Sequence, residues 1–258
     1  MKTIKHTLAT LTMACSFAIA GSAHATLTDW YLDTDGAGGN APVLVNDYLD
    51  LIGNAYVHNT FTGPSTFTFQ EAGRFNAVSA DGSTVLSPSL SAKFTGTGNG
   101  NTGTGQLNFS TGLLSVFSGV TQIGTFNLEA GSAVLNANST LPNGTVSLIF
   151  KASTLASGYF FDSGMNDLAS TVSSPGGLVF GFATTNAISL NGKVTGNLLT
   201  DYNTAFGGSA SSVTPNGTTD LSLSNNGQFR LAVPEPATLA LFGLGLLGMG
   251  AMLRRRKM

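Results

Sequence analysis

Residues 237–253 form an apolar run of 17 positions that ends against Arg254, Arg255, Arg256 and Lys257, and this takes the end of the chain out of any water-soluble core. At roughly 1.5 Å of rise per residue, a helix of that length covers about 25 Å, near the short limit for crossing a bilayer. Four cations at its far edge cost too much to translocate. They act as a basic stop-transfer cluster and keep the C-terminus cytoplasmic, so that everything before the run lies beyond the inner membrane. Gly243, Gly245, Gly248 and Gly250 interrupt the run without GxxxG spacing, which suits a temporary span better than a dimerising one. In front of it stands Val233-Pro234-Glu235-Pro236. The two prolines hold the backbone extended and stop the helix growing back into the body, which leaves Glu235 exposed at the membrane surface, within reach of a processing enzyme.

The opposite end has its own address. Lys2 and Lys5 precede an apolar stretch at 8–20, and Ala23-His24-Ala25 offers the small-x-small pattern cut by signal peptidase. This predicts a secretory signal peptide over 1–25 with cleavage after Ala25. The chain thus divides into a leader at 1–25, an exported body at 26–232 and a sorting signal at 233–258.

The C-terminal motif, apolar run and basic end, in that order, resemble the PEP-CTERM sorting signal of Gram-negative bacteria. The resemblance rests on Val233-Pro234-Glu235-Pro236-Ala237-Thr238, the Gly-Leu-rich run and the closing cations. It implies recognition by exosortase, a membrane cysteine transpeptidase-like protein, and export from a strain that makes exopolysaccharide. The body is also similar to flocculation-associated PEP-CTERM proteins of floc-forming betaproteobacteria, in the stretches 46–56 and 160–168. That similarity implies a non-enzymatic extracellular component that works with exopolysaccharide in holding cells together.

Without its two ends the body keeps five cations, Arg74, Lys93, Lys151, Lys193 and Arg230, against twelve acids, a net charge of −7. No basic stripe is present to neutralise phosphates, which argues against nucleic-acid binding. The one cysteine, Cys15, leaves with the leader, as does every histidine except His58. The mature body therefore has neither disulfide nor thiol nucleophile, and at its size a single core suffices without staples.

Low charge and abundant Gly, Thr, Ser, Asn and Phe suit short strands joined by polar turns. Alternation predicts strands at 66–69, 75–80, 106–110, 113–117, 125–130, 144–150 and 178–184, the sixth with Val146, Leu148 and Phe150 on one face. Asn225-Asn226-Gly227, flanked by alternating segments, predicts a hairpin turn because an Asn-Gly pair accepts positive φ, and Asn191-Gly192 repeats the device. Residues 43–52 fit a short helix or a strand equally well. The Gly-Thr-Asn tract at 95–105, with five glycines, predicts a mobile loop that buries nothing. Together these predict an all-β fold, an antiparallel β-sandwich or jelly-roll-like body.

Candidate chemistry in the body is sparse. Gly98-Asn99-Gly100-Asn101-Thr102-Gly103 matches a dinucleotide fingerprint by letter, but strand alternation follows it where the mechanism needs a helix. Asp33 and Asp35 beside Gly36 look like half a calcium loop, to which Asp47 and Asp50 could add oxygens, yet Leu44 stands where a bidentate Glu belongs. A solvated acidic turn is the simpler expectation, and no metal or cofactor is assigned. Asp162 and Asp167 flank Ser163, with His58 as the one imidazole available to a relay, and no serine sits in a Gly-x-Ser-x-Gly elbow. Trp30 could stack on a sugar or anchor the core. No catalytic residue is assigned. The expected function is an exported, non-enzymatic matrix or surface protein sorted by exosortase, with a carbohydrate-binding adhesin and a secreted glycan hydrolase as alternatives.

Overall fold

A computed structural model describes residues 25–27, 29–36, 39–136, 143–175 and 177–233. The signal-peptide residues through His24 and the sorting motif from Pro234 onward, with its apolar run and basic cluster, lie outside the described residues. Thr26–Ala232 forms one compact unit. Among the described residues, no helix is long and apolar enough to cross a membrane.

The strands are β1 (Ala25–Thr26), β2 (Trp30–Leu32), β3 (Val43–Val45), β4 (Leu49–Phe61), β5 (Thr66–Ala80), β6 (Thr84–Asn101), β7 (Gln106–Ser118), β8 (Thr121–Asn136), β9 (Asn143–Leu155), β10 (Phe160–Phe161), β11 (Phe180–Leu190), β12 (Val194–Thr195), β13 (Ser212–Val213) and β14 (Asp220–Val233). Among the described residues two helices, α1 (Leu168–Ser173) and α2 (Gly196–Phe206), fall in the later connections. The main sheet runs β14-β11-β9-β8-β7-β6-β5-β4, and β14 pairs again with β4. Eight antiparallel strands therefore close into a barrel, and β1 adds a short strand alongside β14. This corrects the expected β-sandwich or jelly-roll. Its strands are all-antiparallel as expected, but they are long and follow one another around a single closed sheet, a closure that leaves no free sheet edge.

Three local expectations change with closure. Asn225, Asn226 and Gly227 make no hairpin. They pair with Ala187, Asn186 and Thr185 on one side and with Gly53, Ile52 and Leu51 on the other. Two ladders of hydrogen bonds outweigh one turn preference, and Gly227 serves close approach instead, since a Cβ there would stand 2.2 Å from the Thr184 carbonyl oxygen. Asn191-Gly192 likewise ends β11 without a hairpin, because Val194 pairs with Val213 in a separate two-stranded sheet. The turns that do close hairpins lie elsewhere: Asp81 and Gly82 at φ 53° and 70°, and Gly119 at φ 57° before Val120. Both supply the left-handed backbone that tight hairpins need.

The glycine-rich tract at 95–105 is mostly strand. Gly96, Gly98 and Gly100 are buried on the inner face of β6. A Cβ at Gly98 would meet the Phe69 ring at 2.5 Å, and one at Gly100 the Phe67 ring at 2.4 Å. The phenylalanines of β5 fill the space the glycines leave, so a tract that carries no apolar side chain of its own still belongs to the core. Residues 43–52 are β3 and the start of β4, with no helix.

The helix evidence lay further on. Leu199 and Tyr202 of α2 are buried against Tyr56, Ala72 and Val194, with Leu198 and Phe206 packed beside them, a helical spacing. Gly207, at φ 77°, ends the helix by donating its N–H to the Asn203 carbonyl at 2.8 Å. Asp201 of α2 binds Arg74 of β5 and, at 3.2 Å, Lys93 of β6, which fixes the helix on the outer wall of the barrel. At one end of the barrel the small sheet β10-β2-β3 brings in Trp30, fully buried and stacked on Phe160, and Thr34 bonds to Ser87 and Ser118 at the ends of β6 and β7. Phe126 and Phe229 meet edge to face inside that end at 5.6 Å.

Candidate functional site

The other half of the barrel is not filled. On β5 the inward positions read Phe67, Phe69, Glu71, Gly73 and Phe75, and on the neighbouring strands many inward positions carry Gly or Ala. Eight strands make a barrel just wide enough for side chains to fill, so small inward residues leave a hollow. A lumen of about 200 Å³ remains, lined by Val57, Phe69, Phe94, Phe109, Leu148 and Leu223 among others. It reaches a rim at Phe61, Thr102 and Thr218, where Phe61 is 43 % exposed.

Into this apolar space the strands aim a few polar groups. Glu71 lies opposite Val57, and Asn59, two residues on along β4, lies opposite Phe69, so the two are diagonal neighbours on the inner face. Asn59 donates its amide N–H to the Thr218 carbonyl at 2.7 Å, while its Oδ1 is buried without a partner. On β14, the strand that pairs with β4 on its other side, Asn225 stands opposite Gly53 of β4 and Ala187 of β11, with Thr185 diagonal to it on β11, and the Asn225 Oδ1 is also buried and unpartnered. Burial pushes the Glu71 carboxyl up to about 7, and no cation offsets it. Its side chain keeps some accessible surface, but that surface faces a lumen whose lining includes no other ionisable group.

The residues singled out from sequence are placed elsewhere. Asp33 is buried, and its Oδ1 accepts the backbone N–H of Asp35 at 3.1 Å and of Gly36 at 2.9 Å, a turn built by the carboxylate itself. Asp47 pairs with Arg230 through two bonds of 2.8 and 2.9 Å, and these hold it below the usual carboxylate range. Asp50 accepts from Ser79 and from the Gly82 N–H. Asp35 accepts from the Asn40 side-chain amide at 2.6 Å, so the carboxylates of the calcium reading serve different contacts. Among the described residues no group of three or more His, Cys, Asp or Glu is placed to hold a metal ion.

Asp162 and Asp167 hold their own loop. Asp162 accepts from Gly164 and Asn166, and Asp167 caps α1 through the Ala169 N–H while also accepting from Ser157 and Gly158. Burial raises both carboxyls, the hydrogen bonds outweigh it, and both end below the ordinary value. His58 lies on β4 with Nδ1 2.9 Å from Asp220, to which Tyr56 also donates at 2.6 Å. Trp30 is a core anchor with no exposed face to offer a sugar. Gly98–Gly103 opens no helix. The groups that sequence reasoning passed over are Glu71, Asn59 and Asn225. A signal for the first was present: Phe67-x-Phe69-x-Glu71 puts a carboxyl in line with an apolar stripe at strand period.

A family model described as the PEP-CTERM protein-sorting motif matches residues 232–257. No curated protein and no solved structure matches the chain.

Proposed function

Taking the chain as a PEP-CTERM protein, an exported protein sorted by exosortase, we propose that its β-barrel body works outside the cell as a non-enzymatic component of the surface or extracellular matrix, associated with exopolysaccharide in biofilms or flocs. The observation that carries this reading is the sorting motif at 232–257, which implies an exported body and marks it for processing. The body's own chemistry supports the non-catalytic part. Asp33, Asp81, Asp162 and Asp167 spend their oxygens on backbone N–H groups in turns, and His58 is tied to Asp220. A low-charge body of −7 suits a hydrated polysaccharide matrix and gives no grip on phosphate polymers. In this reading signal peptidase acts after Ala25, and the inner membrane holds the protein only until exosortase acts near Pro234.

Fractionation of a producing strain tests the proposal. The body should co-purify with exopolysaccharide and be freed by a polysaccharide-degrading enzyme, and a strain lacking the protein should lose cell-to-cell cohesion. A body found wholly free in the medium, with cohesion unchanged in its absence, would refute the matrix role. Sugar release by the purified body that disappears on single carboxylate substitution would refute the non-enzymatic part.

A further inference from the structure

The half-empty barrel interior goes beyond a matrix role and stands independently of it. A hollow in a protein core forfeits packing contacts on every wall, so a lumen of about 200 Å³ in so small a barrel is a feature to be explained. Its contents can be bounded by size. An engineered apolar cavity of about 150 Å³ holds benzene, so this one has room for a single ring or short chain of about eight non-hydrogen atoms.

Its polar groups bound the chemistry further. Asn59 Oδ1 and Asn225 Oδ1 are acceptors, both buried and unpartnered, in residues only 5 % and 3 % exposed. The third group, the Glu71 carboxyl, accepts two or more hydrogen bonds when ionised. The lining residues include no Lys, Arg or His. Buried acceptors left without donors are costly, and a buried carboxylate without a cation more so. The lumen is therefore short of donors and of positive charge. Asn59 cannot swing away to relieve this, because its amide N–H is held by the Thr218 carbonyl at 2.7 Å. Access is from the rim at Phe61, since Trp30, Phe126 and Phe160, none more than 1 % exposed, fill the opposite end.

We propose that the lumen is a binding site for a small, predominantly apolar amine, its ring or chain held among the phenylalanines and its ammonium head given to Glu71 and Asn59. An ammonium brings three donors and the missing charge, and a charge-assisted bond in an apolar site is stronger than a neutral one. Asn225 on β14, the next strand round from β4, and Thr185 on β11 beyond it line the same lumen and stand where a second polar group of such a ligand would be received.

Calorimetric titration of the purified exported protein at pH 7.5 with 2-phenylethylamine, 2-phenylethanol, ethylbenzene and phenylacetate tests this. The amine should bind saturably at one per chain, the alcohol more weakly, and phenylacetate not at all. Glu71→Gln should lower the amine affinity by about tenfold or more while changing that of the alcohol by less than about twofold. Ala133→Phe, placed to fill the lumen, should abolish binding of every probe while the melting transition is retained. Absence of saturable amine binding to the unmodified protein would overturn the proposal. So would phenylacetate binding as tightly as the amine, or amine binding that survives Glu71→Gln unchanged.

Discussion

Replacing Glu71 by Gln should change the shape of the stability–pH curve, and the change can be worked from the structure. The carboxyl titrates at about 7 in the fold against an ordinary value of 4.5, and burial is the cause. A raised folded value means that the folded chain binds the proton more tightly than the unfolded chain. The contribution of Glu71 is thus fully present below about pH 4.5, is lost as the pH rises through 7, and is constant above that. A tenfold change in proton affinity is worth about 1.4 kcal/mol, so the rise from 4.5 to about 7 corresponds to about 3 kcal/mol. This is an upper figure, because Glu71 keeps some accessible surface in the fold. Glu71→Gln removes the titration at the cost of one more unpaired amide, about 1–2 kcal/mol. Urea unfolding of both proteins from about pH 4.5 to 8 reads the result. The native protein should lose about 2–3 kcal/mol across that range and the variant almost none, so that the two curves converge or cross as pH rises. The acids held below the ordinary range, Asp47, Asp81, Asp162 and Asp167, lose their contribution only as pH falls through their lowered values, outside this window. Parallel curves for the two proteins would refute the placement of Glu71 in an apolar, cation-free lumen.

Three further outcomes follow from particular contacts. Gly98→Ala should destabilise the barrel by about 1–3 kcal/mol in urea unfolding, because its Cβ would stand 2.2 Å from the Asn108 carbonyl oxygen as well as against Phe69; a neutral result would place residues 95–101 outside the core. Asp81→Ala should cost about 1–3 kcal/mol, since Asp81 accepts the N–H groups of Asn46, Asp47 and Tyr48 at 2.7, 2.8 and 3.0 Å and itself sits at φ 53°; Asp81→Asn should recover part of the loss. Neutralising Arg254, Arg255, Arg256 and Lys257 should let the tail slip through the membrane uncut while the far-UV circular dichroism of the body stays native; normal cutting and display would remove the stop-transfer role from that cluster.

The β character and many of the strands were legible because alternation is a property of the chain itself: Val146, Leu148 and Phe150 do face one side of β9, and all three line the lumen. Closure was not legible. It depends on β14 pairing with both β11 and β4, a contact between strands some 160 residues apart that no local pattern encodes. For the same reason Asn226-Gly227 pointed the wrong way, since a turn preference acts locally and two ladders overrode it. The glycine tract misled because glycine was judged by its own missing side chain, whereas Gly98 and Gly100 are read correctly only beside Phe69 and Phe67 on the partner strand. Helix α2 shows the reverse: Leu199, Tyr202 and Phe206 carried a helical spacing that strand-minded reading passed over. The lumen was half legible, since the Phe67-Phe69-Glu71 stripe marks a buried acid, but Asn59 and Asn225 become its companions only when the barrel closes.

The central claim is that this chain is exported and trimmed at both ends to leave the barrel. Intact-mass measurement of the protein recovered from the cell surface or medium tests it most directly. The predicted result is a mass that begins at Thr26 and ends close to Pro234. Surface protein that still carries the leader, or that still ends in Arg254, Arg255, Arg256 and Lys257, would contradict it.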